Sequence, residues 1–434
     1  MRRLSLRANF SWTFAGNAIH DACWLAMTVV LARLGSPEDV GQFALGLATT
    51  APIFMFATLR LRDVQATDVK GEFLFEDYFA LRLTTTAAAM LTVVGIALVS
   101  GIRSEMALVI LATGASKSIE AVSDAFYGLF MQQERLDRIA KSLMIKSPLS
   151  LLGLGVGFYY TGSVFWGVMG VVAARALIMV TYDIRNAALS LDRSSTVSRT
   201  VRPSEWPRPR WDRTTLSRLF WFSLPLGFVT LLIGLNANIP RYFIEFQIGT
   251  YELGIFAAVT AFQKVGPTVV QALGRSASPR LARYFAAGNS VSFRKLSWRL
   301  VGIGAFLGAA GIVVALVAGR WLLTLLYGPE YALPGLFALV MVAGGIDYIA
   351  TMLLFIITSA RYLRVQLPLH LATTAAVAIA CLLFIPGGGL MGAALALVAG
   401  TSVRMGGLAL AARSVLGDLR GSRILEAVPR VNVP

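Results

Sequence analysis

The sequence predicts an all-α polytopic membrane protein, with about twelve transmembrane helices in two six-helix bundles. Three observations lead there: poverty in charge, the clumping of what charge there is, and a polar stretch at mid-chain. Of the 434 residues, 56% are hydrophobic and only 14% charged, against roughly 25% charged in an ordinary soluble domain. The mean hydropathy is +0.68, too high for a chain that must cover itself with polar surface in water. The charges cluster, and they leave apolar runs long enough for the ~20 helical residues that cross a bilayer core. Helix is required, because an open sheet edge in lipid leaves backbone groups without partners. The alternating ten-residue segments of a membrane β-barrel do not occur in the sequence.

Spans are expected at 9–33, 38–60, 78–101, 105–131, 140–161, 163–187, 215–240, 252–275, 298–325, 335–360, 363–386 and 389–413. Lysine and arginine orient them. With the N-terminus inside, the inner segments collect Arg2, Arg3 and Arg7, then Arg60, Arg62, Lys70 and Arg82, and every later basic cluster. The outer segments hold only Arg33, Arg103, Arg241 and Arg320. The positive-inside rule then puts both termini in the cytoplasm. The net charge of +16 thus sits in short clusters between spans, not in the contiguous patch that nucleic acid binding requires. The apolar segment after the basic N-terminus runs to Leu34, too long for a cleavable signal peptide, and reads as a retained span.

The polar stretch carries Pro203, Pro207 and Pro209 among serines and arginines and divides the spans six and six. The expected organisation is a bundle over 1–188, a cytoplasmic linker over 189–214, a bundle over 215–413 and a cytoplasmic tail over 414–434. Trp206 and Trp211 suggest that part of the linker rests at the membrane interface. An internal repeat supports two related halves. Span two opens Asp39-Val40-Gly41-Gln42-Phe43-Ala44 and span eight opens Glu252-Leu253-Gly254-Ile255-Phe256-Ala257. Both follow a glycine turn (Gly35, Gly249) and both enter from outside, as parallel repeats do.

Ionisable residues inside spans are the candidate functional groups, since a charge at the bilayer centre costs at least ~2.5–3.5 kcal/mol. The cations are Lys117, Lys146, Arg175 and Lys264; the acids are Asp21, Glu120, Asp124 and Asp347. Lys117 and Glu120 stand at i,i+3 and can neutralise each other on one helix face. Lys146 is near enough to the inner end either to snorkel or to stay inside. Arg175 and Lys264 have no acid at helical spacing, so both are expected to line an aqueous cavity. Asn17, Asn236, Asn238 and Gln263 are candidate polar lining, or interhelical glue. Pro52, Pro148, Pro225, Pro267 and Pro368 should kink their helices. Glycine faces such as Gly153, Gly155 and Gly157, Gly167 and Gly170, and Gly304, Gly308 and Gly311 allow close helix approach, for packing or for sliding.

Cys23 and Cys381, with His20 and His370, make neither a metal-ligand spacing nor a disulfide framework. No metal or cofactor is expected. There is no phosphate-cradling loop or nucleophile arrangement, and short outer loops leave little room for catalysis. A non-enzymatic transporter driven by a gradient is therefore expected.

The first hundred residues resemble the polysaccharide biosynthesis flippases of the multidrug/oligosaccharidyl-lipid/polysaccharide exporter superfamily. The likeness lies in Ser11-Trp12-Thr13-Phe14-Ala15-Gly16-Asn17, in the run from Leu31 to Leu45, in Ala51-Pro52-Ile53-Phe54-Met55-Phe56, and in Leu59 to Asp68. Its most specific piece is Leu34-Gly35-Ser36-Pro37-Glu38-Asp39-Val40-Gly41-Gln42-Phe43-Ala44. The resemblance implies a V-shaped pair of six-helix bundles around a central cavity, in the bacterial inner membrane. It implies a flippase that moves an undecaprenyl-diphosphate-linked oligosaccharide to the outer leaflet for exopolysaccharide, O-antigen or capsule synthesis. Its partners would be the lipid-linked glycan, membrane lipids and a polysaccharide polymerase or export machinery. The cavity cations would meet the diphosphate; Asp21, Glu120, Asp124 and Asp347 would be coupling-ion or gating acids. Alternatives are a drug or organic-cation antiporter of the same superfamily using Asp21 and Asp347, a lipid II flippase, though that group resembles fourteen spans, and a polysaccharide polymerase or ligase.

Overall fold

The computed structural model describes residues 6–68, 71–99, 104–192, 208–360, 362 and 365–427. Among these no strand occurs. The helices are α1 (Leu6–Leu34), α2 (Pro37–Ala57), α3 (Leu61–Thr67), α4 (Phe75–Val99), α5 (Ser104–Gln132), α6 (Leu136–Thr161), α7 (Val164–Ile178) and, after a π-helical turn over Met179–Asp183, α8 (Ile184–Asp192). Then come α9 (Arg213–Gln247), α10 (Thr250–Ala261), α11 (Val265–Ala286), α12 (Ser290–Leu326), α13 (Pro334–Ser359) and α14 (Gln366–Ala427).

Eleven stretches among the described residues are long and apolar enough to cross a membrane. The last is two helices joined at a kink, where Gly389 takes φ 53° and ψ −132°, a conformation essentially reserved to glycine. That break falls between the spans expected at 363–386 and 389–413, so twelve membrane helices result. Several run longer than expected: α9 has 35 residues and α12 has 37. Arginines near the helix starts, such as Arg213 and Arg294, read as loop in the sequence, yet helix tolerates them wherever they reach water. The outward faces are apolar, with Leu98, Phe246 and Val317 each more than three-quarters exposed, as lipid contact requires.

The chain divides into two compact units, 1–258 and 259–434. In the first, glycines set the helix contacts. Gly153 of α6 and Gly170 of α7 meet backbone to backbone, and Gly16 of α1 rests on Ala140 of α6. Helix α9 lies along α2 through Gly227, Thr230 and Gly234, with the Thr230 hydroxyl donating to the Met55 carbonyl at 2.8 Å. Pro52 removes the amide that would bond the Ala48 carbonyl, and the Tyr242 hydroxyl donates to that carbonyl instead. Tyr242→Phe should therefore lower stability by about 1–2 kcal/mol, the usual loss for a buried group left without a partner. Thermal unfolding in detergent would show it, and no change would mean that water serves the carbonyl as well.

The two repeat motifs pack against each other. Gly41 sits on the backbone of Thr250, and Gly254 on the backbone of Pro37. Aligning Gly41 with Gly254 also aligns Pro37 with Thr250, so the crossing of α2 and α10 is a pseudo-two-fold contact. A β-carbon at either glycine would overlap a carbonyl oxygen. Gly254→Val is expected to push the helices apart and destabilise by about 1–3 kcal/mol, as overpacking does. Thermal unfolding in detergent checks it, and an unchanged midpoint would mean that the crossing yields without cost.

The expected linker lies largely outside the described residues, since 193–207 are among those not described. On its far side the Asp212 carboxylate caps α9 by accepting from the Thr214 amide at 3.2 Å, and Trp211 is exposed. Asp68 closes α3 by accepting from the amides of Glu72 and Phe73 at 3.0 and 3.1 Å. Burial alone would raise its pKa, but these bonds outweigh it and hold the carboxyl below its ordinary value. In the second unit, Gly308 of α12 meets Gly345 of α13. Val270, Leu281, Phe293, Leu300, Met352, Ile356 and Val415 form a common core.

Candidate functional site

Helix α5 brings Lys117, Glu120 and Asp124 onto one face, since residues three and four apart are neighbours on a helix. One oxygen of Glu120, Oε2, accepts from Lys117 Nζ at 2.9 Å and from Arg175 Nη1 of α7 at 2.7 Å. The intrahelical pairing expected for Lys117 and Glu120 is thus present, and a second cation joins it. Arg175 is buried at 7% exposure and reaches the Ser116 carbonyl at 3.4 Å. The expectation that Arg175 stands without an acid is corrected: its partner comes from α5, a contact that same-helix spacing could not reveal.

Lys117 and Arg175 border a small pocket. Its walls include Trp24, Met27, Phe43, Leu47, Val168 and Val171, with Thr113 and Ser116 as polar neighbours. The Trp24 and Phe43 rings lie 6.0 Å apart, centre to centre. Among these contacts two cations face one carboxylate beside the apolar-walled pocket. The cavity is only about 10 Å³, roughly one water in size, so its cations can meet a larger anion by charge-assisted hydrogen bonds only where the helices part.

Lys146 does not snorkel. It is 6% exposed, and its Nζ donates to Asp183 Oδ2 at 2.9 Å, Tyr127 Oη at 2.9 Å and Ser123 Oγ at 3.0 Å. Asp124 is bound by Arg62 and Arg82, each at 3.0 Å. In the second unit, Asp347 of α13 pairs with Arg404 of α14, and Gln263 donates to the Val340 carbonyl at 2.8 Å. Lys264 is exposed, just before α11. Asp21 and Asn17 are half-buried on α1, and the neighbouring His20 shares a hydrogen bond of 2.9 Å with Ser147 Oγ. Asn238 donates to the Gly234 carbonyl at 2.8 Å and accepts from Arg241 at 3.2 Å. Asn236 keeps a buried side-chain oxygen without a partner. Cys23 and Cys381 are free thiols.

Sequence reasoning missed Asp183, Arg82 and Arg404 as groups within the helices. Each stands near a span end or beside other arginines and so reads as a flanking charge. Asp183 has a further reason. It closes the π-helical turn over Met179–Asp183, and such turns leave no mark in sequence periodicity.

Helix order and span number define a multi-pass membrane protein. The fold agrees with solved transporters. An inward-facing multidrug resistance MATE family transporter of the MOP superfamily superposes with a TM-score of 0.70 at 14% identity, covering 92% of this chain and 95% of that one. The Vibrio cholerae MATE transporter VcmN, as a point mutant, gives 0.62 at 14% identity, with 95% and 96% covered. A MOP superfamily transporter from Pyrococcus furiosus, described by the reverse polarity of its binding pocket, gives 0.58 at 15% identity, with 95% of each chain covered. In sequence, the chain is 26% identical over 393 residues to the capsular polysaccharide biosynthesis protein CapF of Staphylococcus aureus, covering 89% of this chain and 94% of CapF. The polysaccharide biosynthesis protein family model matches residues 6–285. The chain belongs to that family.

Proposed function

We propose that this protein is a flippase that moves an undecaprenyl-diphosphate-linked oligosaccharide from the cytoplasmic to the outer leaflet of the bacterial inner membrane, by alternating access and without chemistry of its own. The observation that carries the reading is the convergence of Lys117 and Arg175 on one oxygen of Glu120 beside an apolar-walled pocket. A diphosphate offers the same kind of oxygen in greater number, and a guanidinium fork matches it better than any neutral group. Membership of a polysaccharide biosynthesis family supplies the glycan; the transporter fold supplies the movement.

In this reading the bundles are 1–188 and 215–413, joined by a cytoplasmic linker over 189–214, with both termini inside as the basic residues require. Asn17 of the first bundle faces sugar hydroxyls. Asp21 and Asp347 are the coupling-ion candidates, and a polysaccharide polymerase takes the product. The organic-cation antiporter, which would place its cargo on Asp21 and Asp347, has less support, because Asp347 already pairs with Arg404.

Depleting the protein and analysing lipid-linked glycans by leaflet tests the proposal. A lipid-linked repeat unit should accumulate on the cytoplasmic face. Unchanged glycan lipids together with altered resistance to cationic drugs would replace the flippase with the antiporter.

A further inference from the structure

Asp124 stands one helical turn beyond Glu120 on α5 and is held in the same manner. Its Oδ1 accepts from Arg62 Nη1 of α3 and its Oδ2 from Arg82 Nη2 of α4, each at 3.0 Å. Two permanent cations again share one carboxylate, so a positive charge is left over. Arg82 is only 1% exposed, and its Nε and Nη1 are buried with no acceptor. The side-chain nitrogen of Gln65, one turn from Arg62, is likewise unpartnered, and so is the Thr86 hydroxyl one turn from Arg82. Gln65 packs on Gly128, itself one turn past Asp124.

Buried polar groups in native proteins nearly always find partners, and each exception needs a reason. Here the unpartnered nitrogens all belong to donors and the surplus charge is positive. What the cluster lacks is therefore an anion with several oxygens. A single carboxylate cannot supply enough acceptors, because one guanidinium alone presents five N–H bonds. Arg62, with its side chain 39% exposed, can reach an incoming group, while Arg82 lies deeper and would take its remaining oxygens.

We propose that Arg62 and Arg82 form a second station for the diphosphate headgroup, with Asp124 as the internal anion that yields its place to it. This rests on the reading that the cargo carries a diphosphate. Two stations one helical turn apart, about 5–6 Å along α5, would let the headgroup pass between them without losing all its cationic partners at once. Each carboxylate re-forms its pairs when the headgroup moves on, so neither station is left as bare positive charge.

Full-length protein in detergent micelles, titrated with farnesyl diphosphate and read by native mass spectrometry, tests the proposal. Two equivalents per chain are expected. Arg62→Gln should remove one equivalent and Lys117→Gln the other, while Asp124→Asn should tighten the second station about tenfold by removing its competitor. Arg62 is chosen because replacing the enclosed Arg82 could prevent folding. One equivalent in the native protein, lost in Lys117→Gln and kept in Arg62→Gln, would overturn the second station and leave the flippase reading standing. No binding by either the native protein or Asp124→Asn would overturn both. Inorganic pyrophosphate binding as tightly as farnesyl diphosphate would assign the station to free diphosphate and overturn its role for a lipid-borne headgroup.

Discussion

Replacing Arg175 by alanine is expected to stop export of the lipid-linked glycan while leaving the protein folded in the membrane. The two effects separate because Glu120 has two partners. Without Arg175, the Glu120 carboxylate still accepts from Lys117 at 2.9 Å and its side chain is 43% exposed, so no buried charge is stranded. The pocket, however, loses its planar fork. Hydrogen bonds to charged groups are worth ~1.5–3 kcal/mol each, so headgroup binding should weaken at least tenfold. Arg175→Lys keeps the charge without the fork and should fall between. The opposite change, Glu120→Gln, should strengthen headgroup binding by freeing both cations, yet slow release. Reconstituted vesicles with a fluorescent lipid-linked oligosaccharide give the rates directly. Native transport with Arg175 and Lys117 both replaced by alanine would refute the cationic-site model.

Much of this fold was legible because bilayers impose a simple rule on sequence: each crossing needs an apolar run, and each inner turn collects arginine. The break at Gly389 sits where a Gly387-Gly388-Gly389 run separates two apolar stretches, and the repeat at Gly41 and Gly254 reappears as a reciprocal contact. The site was legible only in part. Depth in a span flagged Lys117, Glu120, Asp124, Lys146 and Arg175 as groups needing partners, and each has one. Which partner could not be read, because Arg175 meets Glu120 across 55 residues of chain and no periodicity links them. Arg404 reads as a charge flanking the last span, although α14 carries it to Asp347. Hydropathy measures how apolar a segment is, not which way a single side chain turns.

Lys146→Met should be the most destabilising single change, by about 3–5 kcal/mol, the usual penalty for breaking a buried ion pair from one side. All three donor positions of the Lys146 ammonium are used, on Asp183, Tyr127 and Ser123. Asp183 is 0% exposed and its other oxygen accepts from Ser142 Oγ at 2.6 Å. Removing the lysine leaves that carboxylate enclosed with a single hydroxyl for company. Asp183→Leu alone should be nearly as harmful, since it strands the ammonium. The double variant Lys146→Met/Asp183→Leu should recover most of the loss, because two apolar side chains of similar volume need no partners. Thermal unfolding of the four proteins closes a double-mutant cycle, and strictly additive losses would disprove the coupling. Transport by the double variant then decides why the pair exists. Asp183 ends a π-helical turn, a feature frequent at functional sites. A stable double variant that no longer exports glycan would mean that the pair holds this turn for movement. One that exports normally would reduce it to a packing device between α5, α6 and the end of α7.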